Sequence, residues 1–298
     1  MGLALPPIGL GCSPVRGPRV LDLRDAIAAA LRCGYRLFDT AEAYGTESLL
    51  GELLCTVGRG EDVAVIGKLW QTNHRFADAL AACEASLRRL RREAIDVYLV
   101  HSPEAWRHRG PLAVEPLPPT TAELAARAVP RGPGGEIELE DVPLEETWAA
   151  LVELRRRGLV RHVGIANASV AELERLRRTG DPAEAVQVEL HPRRPRAELV
   201  EYCSRERVAL LAHTPLGGGG LLADARLGDV ARAAGCSPAA LVLRWHRTLG
   251  IVPLPGTTDS AHLRENLEAA AAPTLDEAAR RALSALAPGG SEPAEGEG

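Results

Sequence analysis

The chain has 298 residues, 46% hydrophobic and 25% charged, and its 35 Lys and Arg against 40 Asp and Glu leave a formal net charge of −5 at pH 7. That composition suits a globular protein large enough to bury a core without disulfides or metals, and its scattered arginines form no basic stripe for nucleic acid. No apolar run approaches the ~18 residues of a membrane span, and the N-terminal MGLALPPIGLG lacks a basic region and a cleavage site, so neither membrane insertion nor secretion is expected.

Short runs rich in Val, Ile and Leu predict eight strands, in chain order Ile8 to Cys12, Tyr35 to Asp39, Val63 to Lys68, Val97 to His101, Val160 to Ala166, Ala185 to Glu189, Val208 to His213 and Ile251 to Leu254. Amphipathic stretches between them predict helices over Leu23 to Arg32, Thr46 to Thr56, Arg75 to Arg92, Leu144 to Arg157, Val170 to Arg178, Ala197 to Glu206, Pro238 to Thr248 and Ala261 to Ala270. Ser237-Pro238 reads as an N-cap followed by Pro at the first helical position, and Glu145 and Glu146 place acids in a first turn. Strands alternating with helices imply parallel pairing through right-handed crossovers. Eight such units point to an α/β fold, a (β/α)8 TIM barrel, ahead of a doubly wound open sheet. We expect one domain over residues 1–286. Its Pro- and Gly-rich loop 105–142 overhangs the barrel mouth, and a polar, disordered tail follows over 287–298.

The six cysteines are far apart and form no C-x-x-C pair, which fits a reducing cytoplasm and no thiolate metal site. Lysine occurs once, as Lys68, so 34 of the 35 basic residues are arginine. Lys68 is therefore the one lysine that arginine could not replace, as a compact ammonium with a tunable pKa would be in catalysis. In a TIM barrel the C-terminal strand ends converge, which brings Asp39, Lys68 and His101 together, with Tyr44 five residues past Asp39. A phenol alone is too weak an acid to protonate a carbonyl oxygen quickly at neutral pH. An adjacent ammonium is expected to lower the Tyr44 pKa, while Asp39 keeps Lys68 charged and His101 donates to the same substrate oxygen. Such a set suits protonating an oxygen while a hydride arrives at carbon.

At these residues the chain resembles the aldo-keto reductase superfamily, specifically its bacterial-type NADPH-dependent members. The resemblance is carried in order by IGLGC (8–12), FDTAEAYGTE (38–47), IGKLW (66–70), DVYLVHSPEAW (96–106), LEETWAALVELRRRGLVRHVGIAN (144–167), VQVELHP (186–192), LLAHTPLGGGGLL (210–222) and LPGTTDSAHLRENLEA (254–269). It implies Tyr44 as general acid, Lys68 and Asp39 as its tuning pair, and His101 as the donor that orients the carbonyl. It also implies NADPH lying across the barrel mouth without a Rossmann glycine loop, and a small-molecule carbonyl as substrate. Asn167 and Gln187 match the residues that hold the nicotinamide carboxamide. Thr214, Leu216 and Gly217 are further cofactor contacts, with the glycines from Gly217 to Gly220 suited to approach a pyrophosphate; Thr257 and Asn266 are contacts left for the 2′-phosphate, and Glu265 is placed for the adenine side. Trp70 is expected to line the substrate pocket.

The chain departs from the family pattern at several of these positions. Ala166 stands where a serine usually precedes the asparagine, and His213 where a tyrosine usually stacks on the nicotinamide. A protonated His213 would disfavour the oxidised, cationic cofactor. Gly256 and His262 stand where many members place lysine and arginine on the 2′-phosphate, leaving Arg264 as a further contact. The N-terminal hairpin that usually plugs the barrel bottom is shortened. Two other readings stay open: reduction of an imine or other unsaturated bond, and a cofactor-binding regulatory relative with little turnover. A metal-dependent hydrolase using His101, His191, His213, Asp39 and a modified Lys68 lacks the H-x-H pair it needs at the first strand.

Overall fold

The computed structural model describes residues 3–13, 20–56, 62–112 and 126–287. Eight parallel strands follow one another in sequence order: β1 (Leu10–Gly11), β2 (Leu37–Asp39), β3 (Ala64–Leu69), β4 (Ile95–Val100), β5 (Val160–Ala166), β6 (Ala185–Glu189), β7 (Ala209–His213) and β8 (Val252–Pro253). Gly9 N–H donates to Pro253 O and Gly11 N–H to Pro255 O, each at 3.1 Å, which closes β8 onto β1 and makes the sheet a barrel. β8 is short because Pro253 and Pro255 lack the N–H that a ladder requires; their carbonyls still accept from β1. A Cβ at Gly11 would stand 3.0 Å from the backbone Leu254 O, a tight contact that glycine avoids.

Helices pack around the barrel as α1 (Val20–Cys33), α2 (Glu47–Thr56), α3 (Phe76–Leu90), α4 (Leu144–Arg156), α5 (Val170–Arg177), α6 (Ala197–Glu206), α7 (Ala225–Ala233), α8 (Pro238–Thr248), α9 (Ser260–Ala271) and α10 (Glu277–Ser284). Ser237 caps α8 by accepting from Ala240 N–H at 3.1 Å, with Pro238 in the first turn as its sequence predicts. Ser169 and Glu172 form a reciprocal capping box at the start of α5. Two helices go beyond the sequence reading, α7 and α10. Gly228 lowers the apparent propensity of α7, and α10 is only eight residues long, but Asp224 and Asp276 cap them through Arg226 N–H and Ala279 N–H. Among the described residues no helix is long and apolar enough to cross a membrane.

The side-chain period of two in the strands divides the core into two layers. Leu37, Ile66, Val97, Leu99, Ala185, Leu211 and Leu254 fill the barrel interior. Phe38, Val65, Tyr98, Val100, Val186 and Ala212 face outward into the layer beneath the helices. Leu3 and Leu5, ahead of β1, pack against the interior layer. Of the tail expected over 287–298, the residues from Pro288 on lie outside the described residues, as do residues 113–125 of the long loop. The described part of that loop is tied down: Arg107 N–H donates to Glu138 O and Glu140 N–H to Ala105 O.

Candidate active site

Adding two to each inward position of the interior layer reaches the mouth of the barrel. From Leu37 the next inward residue is Asp39, from Ile66 it is Lys68, from Leu99 it is His101, from Ala185 it is Gln187, and from Leu211 it is His213. The apolar layer below therefore serves as a floor on which polar side chains stand.

Lys68 is fully buried and Asp39 is 4% exposed. The ammonium lies 2.7 Å from Asp39 Oδ1 and 2.8 Å from Oδ2, and also donates to Thr40 O at 3.1 Å and to the Tyr44 hydroxyl oxygen at 3.4 Å. Gln187 Nε2 donates to Asp39 Oδ1 at 2.8 Å. Because Lys68 donates to the phenol oxygen, the phenolic proton remains available for another acceptor. The Tyr44 ring stands edge-on to His101, with centroids 5.6 Å apart, and the Lys68 ammonium lies 4.7 Å from the Tyr44 ring centre. Trp70 packs edge-on to both His101 and Trp106, at 4.9 and 5.4 Å, and so forms one wall beside the phenol. Its indole N–H donates to Ala128 O at 2.6 Å, which fastens the long loop to that wall.

Burial disfavours the Lys68 ammonium, but Asp39 and Tyr44 outweigh it and its pKa stands above the usual lysine value. The expectation for Tyr44 needs correction. Burial raises its pKa more than Lys68 lowers it, and Asp39 adds to the rise, so the phenol is held protonated rather than acidified. His101 is pushed well below the usual imidazole value by burial, then by Lys68 and His213, and is a neutral ring. His213 is pushed down to about 4 by burial and by Lys68. His213 is therefore neutral near pH 7, and the charge that would disfavour the oxidised cofactor does not arise there.

On the cofactor side, Asn167 N–H donates to Gln187 O at 2.8 Å, setting these two residues on neighbouring strand ends. Asn167 adopts φ 55° and Thr214 φ 48°, left-handed conformations uncommon for side chains other than glycine. A hydrogen-bond chain joins them. Thr214 and His213 Nδ1 are 3.1 Å apart, His213 Nε2 and Asn167 Oδ1 3.0 Å, and Asn167 Nδ2 donates to His101 O at 3.0 Å. Since the amide oxygen only accepts, the neutral His213 carries its proton on Nε2 and its Nδ1 accepts from the Thr214 hydroxyl. Gln187 Oε1 has no protein partner among the described residues, and Asn167 Nδ2 keeps one hydrogen. An acceptor and a donor are what a primary carboxamide needs, so the residues present fit a nicotinamide.

Leu216 and Gly217 open the next loop, where Gly217, Gly218 and Gly219 all have positive φ. A Cβ at Gly217 would stand 2.7 Å from the Leu221 Cβ, so glycine is required there on both counts. Gly256, Thr257 and His262 are gathered at the start of α9, with Thr257 Oγ1 3.4 Å from His262 Nδ1. Arg264 is exposed and Glu265 half-buried on that helix, while Asn266 is turned inward toward the Tyr35 hydroxyl. Among the described residues no three His, Cys, Asp or Glu side chains gather as a metal site.

Glu42 went unremarked in the sequence. It is 3% exposed beneath the Tyr44 turn and accepts from Asn73 Nδ2 and Trp70 N–H. Its only sequence signal was an acidic residue within a segment otherwise rich in small and apolar side chains.

The sequence pattern of the aldo/keto reductase family matches residues 8–287. An aldo-keto reductase family 1 member of Danio rerio is 32% identical over 284 residues, covering 90% of this chain and 82% of its own. An aldo-keto reductase of Mycolicibacterium smegmatis is 31% identical, covering 90% and 84%. The solved aldose reductase of Schistosoma japonicum superposes with a TM-score of 0.83 at 27% identity, over 96% of this chain and 89% of that one. The chain belongs to the aldo/keto reductase family, and is an NAD(P)H-dependent oxidoreductase acting on carbonyl groups.

Proposed function

We propose that the protein is an NADPH-dependent reductase of aldehydes or ketones in which Tyr44 is the general acid. The observation that carries this reading is the Tyr44 phenol, still holding its proton, within 3.4 Å of a fully buried ammonium and edge-on to a neutral His101.

A nicotinamide, when bound, would supply the hydride, and Asn167 and Gln187 would hold its carboxamide through the spare Asn167 N–H and Gln187 Oε1. The neutral His101 orients the substrate carbonyl with a ring N–H, and Tyr44 donates its phenolic proton to the carbonyl oxygen. As that proton leaves, the developing phenolate is stabilised by Lys68, whose charge is kept by the bidentate contact with Asp39. The high resting pKa of Tyr44 is compatible with this role, because the phenol must be protonated before each turnover. Trp70 and Trp106 supply an aromatic wall that suits medium-sized carbonyl compounds. For the 2′-phosphate, the exposed Arg264 and the N-terminus of α9 support NADPH.

The test is an NADPH and NADH binding titration followed by turnover with a panel of aldehydes and ketones, for wild type and Tyr44→Phe. The phenylalanine variant should lose about 10²- to 10⁴-fold in kcat with cofactor affinity retained, because it lacks the proton and little volume. Wild-type turnover by Tyr44→Phe would remove Tyr44 from the mechanism.

A further inference from the structure

The short helical turn Glu42–Tyr44 carries two functional-looking side chains that face different partners. Tyr44 reaches Lys68 in the site. The Glu42 carboxyl instead reaches the chain just beyond β3: Asn73 Nδ2 lies 2.9 and 3.0 Å from its two oxygens, and Trp70 N–H donates to Oε2 at 3.2 Å. Trp70 is two residues past Lys68, so one carboxyl joins the turn bearing the phenol to the segment bearing both the ammonium and the indole wall.

Among the described residues no cation pairs directly with the Glu42 carboxyl, and Arg89 acts on it only from a distance. The nearby Arg89 is engaged by Glu47, at 2.7 Å, and by Ser86 Oγ, at 3.1 Å. Burying a carboxyl against neutral donors alone is unfavourable, and a purely structural tie could be made by a neutral amide. Retaining the acid here points to a role that the neighbouring site requires.

We propose that Glu42 is a positioning residue for proton transfer: its carboxyl clamps the Tyr44 turn to the end of β3 and so sets the phenol against Lys68. This rests on Tyr44 being the general acid. The groups facing Glu42 are Glu47 of α2, Arg89 and Cys83 of α3, and Tyr98 of β4. Burial raises the Glu42 carboxyl to about 7, with Glu47 adding to the rise and Trp70 N–H, Arg89 and Asn73 opposing it. A carboxylate accepts stronger hydrogen bonds than a carboxylic acid, so the clamp tightens as pH rises through about 7.

Two variants separate the clamp from its charge. Glu42→Gln keeps an acceptor oxygen for both donors and cannot ionise; Glu42→Ala removes the tie. Each is assayed for kcat, KM and NADPH affinity across pH. In parallel, fluorine NMR is recorded on protein grown with 3-fluorotyrosine, where the Tyr44 signal among four tyrosines is assigned by its loss in Tyr44→Phe. Glu42→Ala should lose roughly 10- to 100-fold in kcat, the effect of a misplaced reacting group, with KM and NADPH affinity little changed. Glu42→Gln should retain the kcat that the wild type shows below pH 7, where the carboxyl is protonated, and lack the increase above it. The wild type should show a rise in kcat and a shift of the Tyr44 signal centred near pH 7, both absent from Glu42→Gln. A folded Glu42→Ala with wild-type kcat, or a pH response unchanged in Glu42→Gln, overturns the proposal. If the wild type reduces no carbonyl, the general-acid reading fails separately, and the fluorine signal alone decides whether Glu42 positions the phenol. If Glu42→Ala does not fold, the pH response of Glu42→Gln decides.

Discussion

Replacing Lys68 by methionine removes the ammonium from a place water does not reach and leaves the Asp39 carboxylate, 4% exposed, with the Gln187 amide at 2.8 Å as its one side-chain donor among the described residues. Breaking a buried ion pair on one side costs about 3–5 kcal/mol, because the remaining charge is neither solvated nor paired. Against a total stability of about 5–15 kcal/mol, that loss is large, and it corresponds to a fall in melting temperature of about 5–8 °C. Adding Asp39→Asn removes the stranded charge, and the double variant should recover most of the stability, since a buried pair replaced as a unit is nearly neutral. The coupling between the two sites should be at least about 2 kcal/mol in a double-mutant cycle measured by denaturant unfolding at pH 7.5. Activity, followed as NADPH oxidation, should be absent from both single variants and from the pair. Lys68→Arg keeps the charge but brings a wide planar fork into a cavity shaped for a point charge with four acceptor contacts, and should also be inactive. Strictly additive stability losses, or Lys68→Arg turning over near the wild-type rate, would refute the reasoning.

The double variant Gly256→Lys, His262→Arg should tighten NADPH selectively over NADH, since each charge-assisted phosphate contact contributes about 1.5–3 kcal/mol; equal gains for both cofactors would show that the phosphate lies elsewhere. Glu42→Gln should become more stable relative to wild type as pH rises. The folded carboxyl is raised from 4.5 to about 7, so the unfolded chain releases its proton first, and ionisation destabilises the fold between those values by up to about 3 kcal/mol, in full above pH 7. A stability difference that does not change between pH 5 and 8 in denaturant titrations would contradict this. Because burial and Lys68 hold the His213 pKa near 4, NADP+ affinity should show no titration of His213 above about pH 5.5. A transition near pH 6.5 that disappears in His213→Phe would place a charged ring against the cofactor.

The sequence alone determined the barrel and which polar residues stand together at its mouth, and for one physical reason. A strand's side chains alternate, so an apolar residue known to face the interior dictates that Asp39, Lys68, His101 and His213 face it too, two positions further on. The single lysine among 35 basic residues marked the same place by chemistry. Helix starts written in local side chains, such as Ser237-Pro238, were equally legible because a cap is made within four residues. The α7 and α10 helices were not, since Gly228 in one and the brevity of the other weaken the local pattern, and packing supplies the remainder. Only the tertiary structure decided the protonation of the site. Whether Tyr44 is acidified or kept protonated depends on the balance of burial against Lys68 and Asp39, a sum over segments distant in sequence. The same holds for His213, neutral because it is buried beside an ammonium, and for Asn167, oriented by His213 and the His101 carbonyl. Glu42 shows the limit most plainly. Its neighbours Trp70 and Asn73 are 28 and 31 residues away along the chain, and the folded barrel alone gives that carboxyl its partners and its burial.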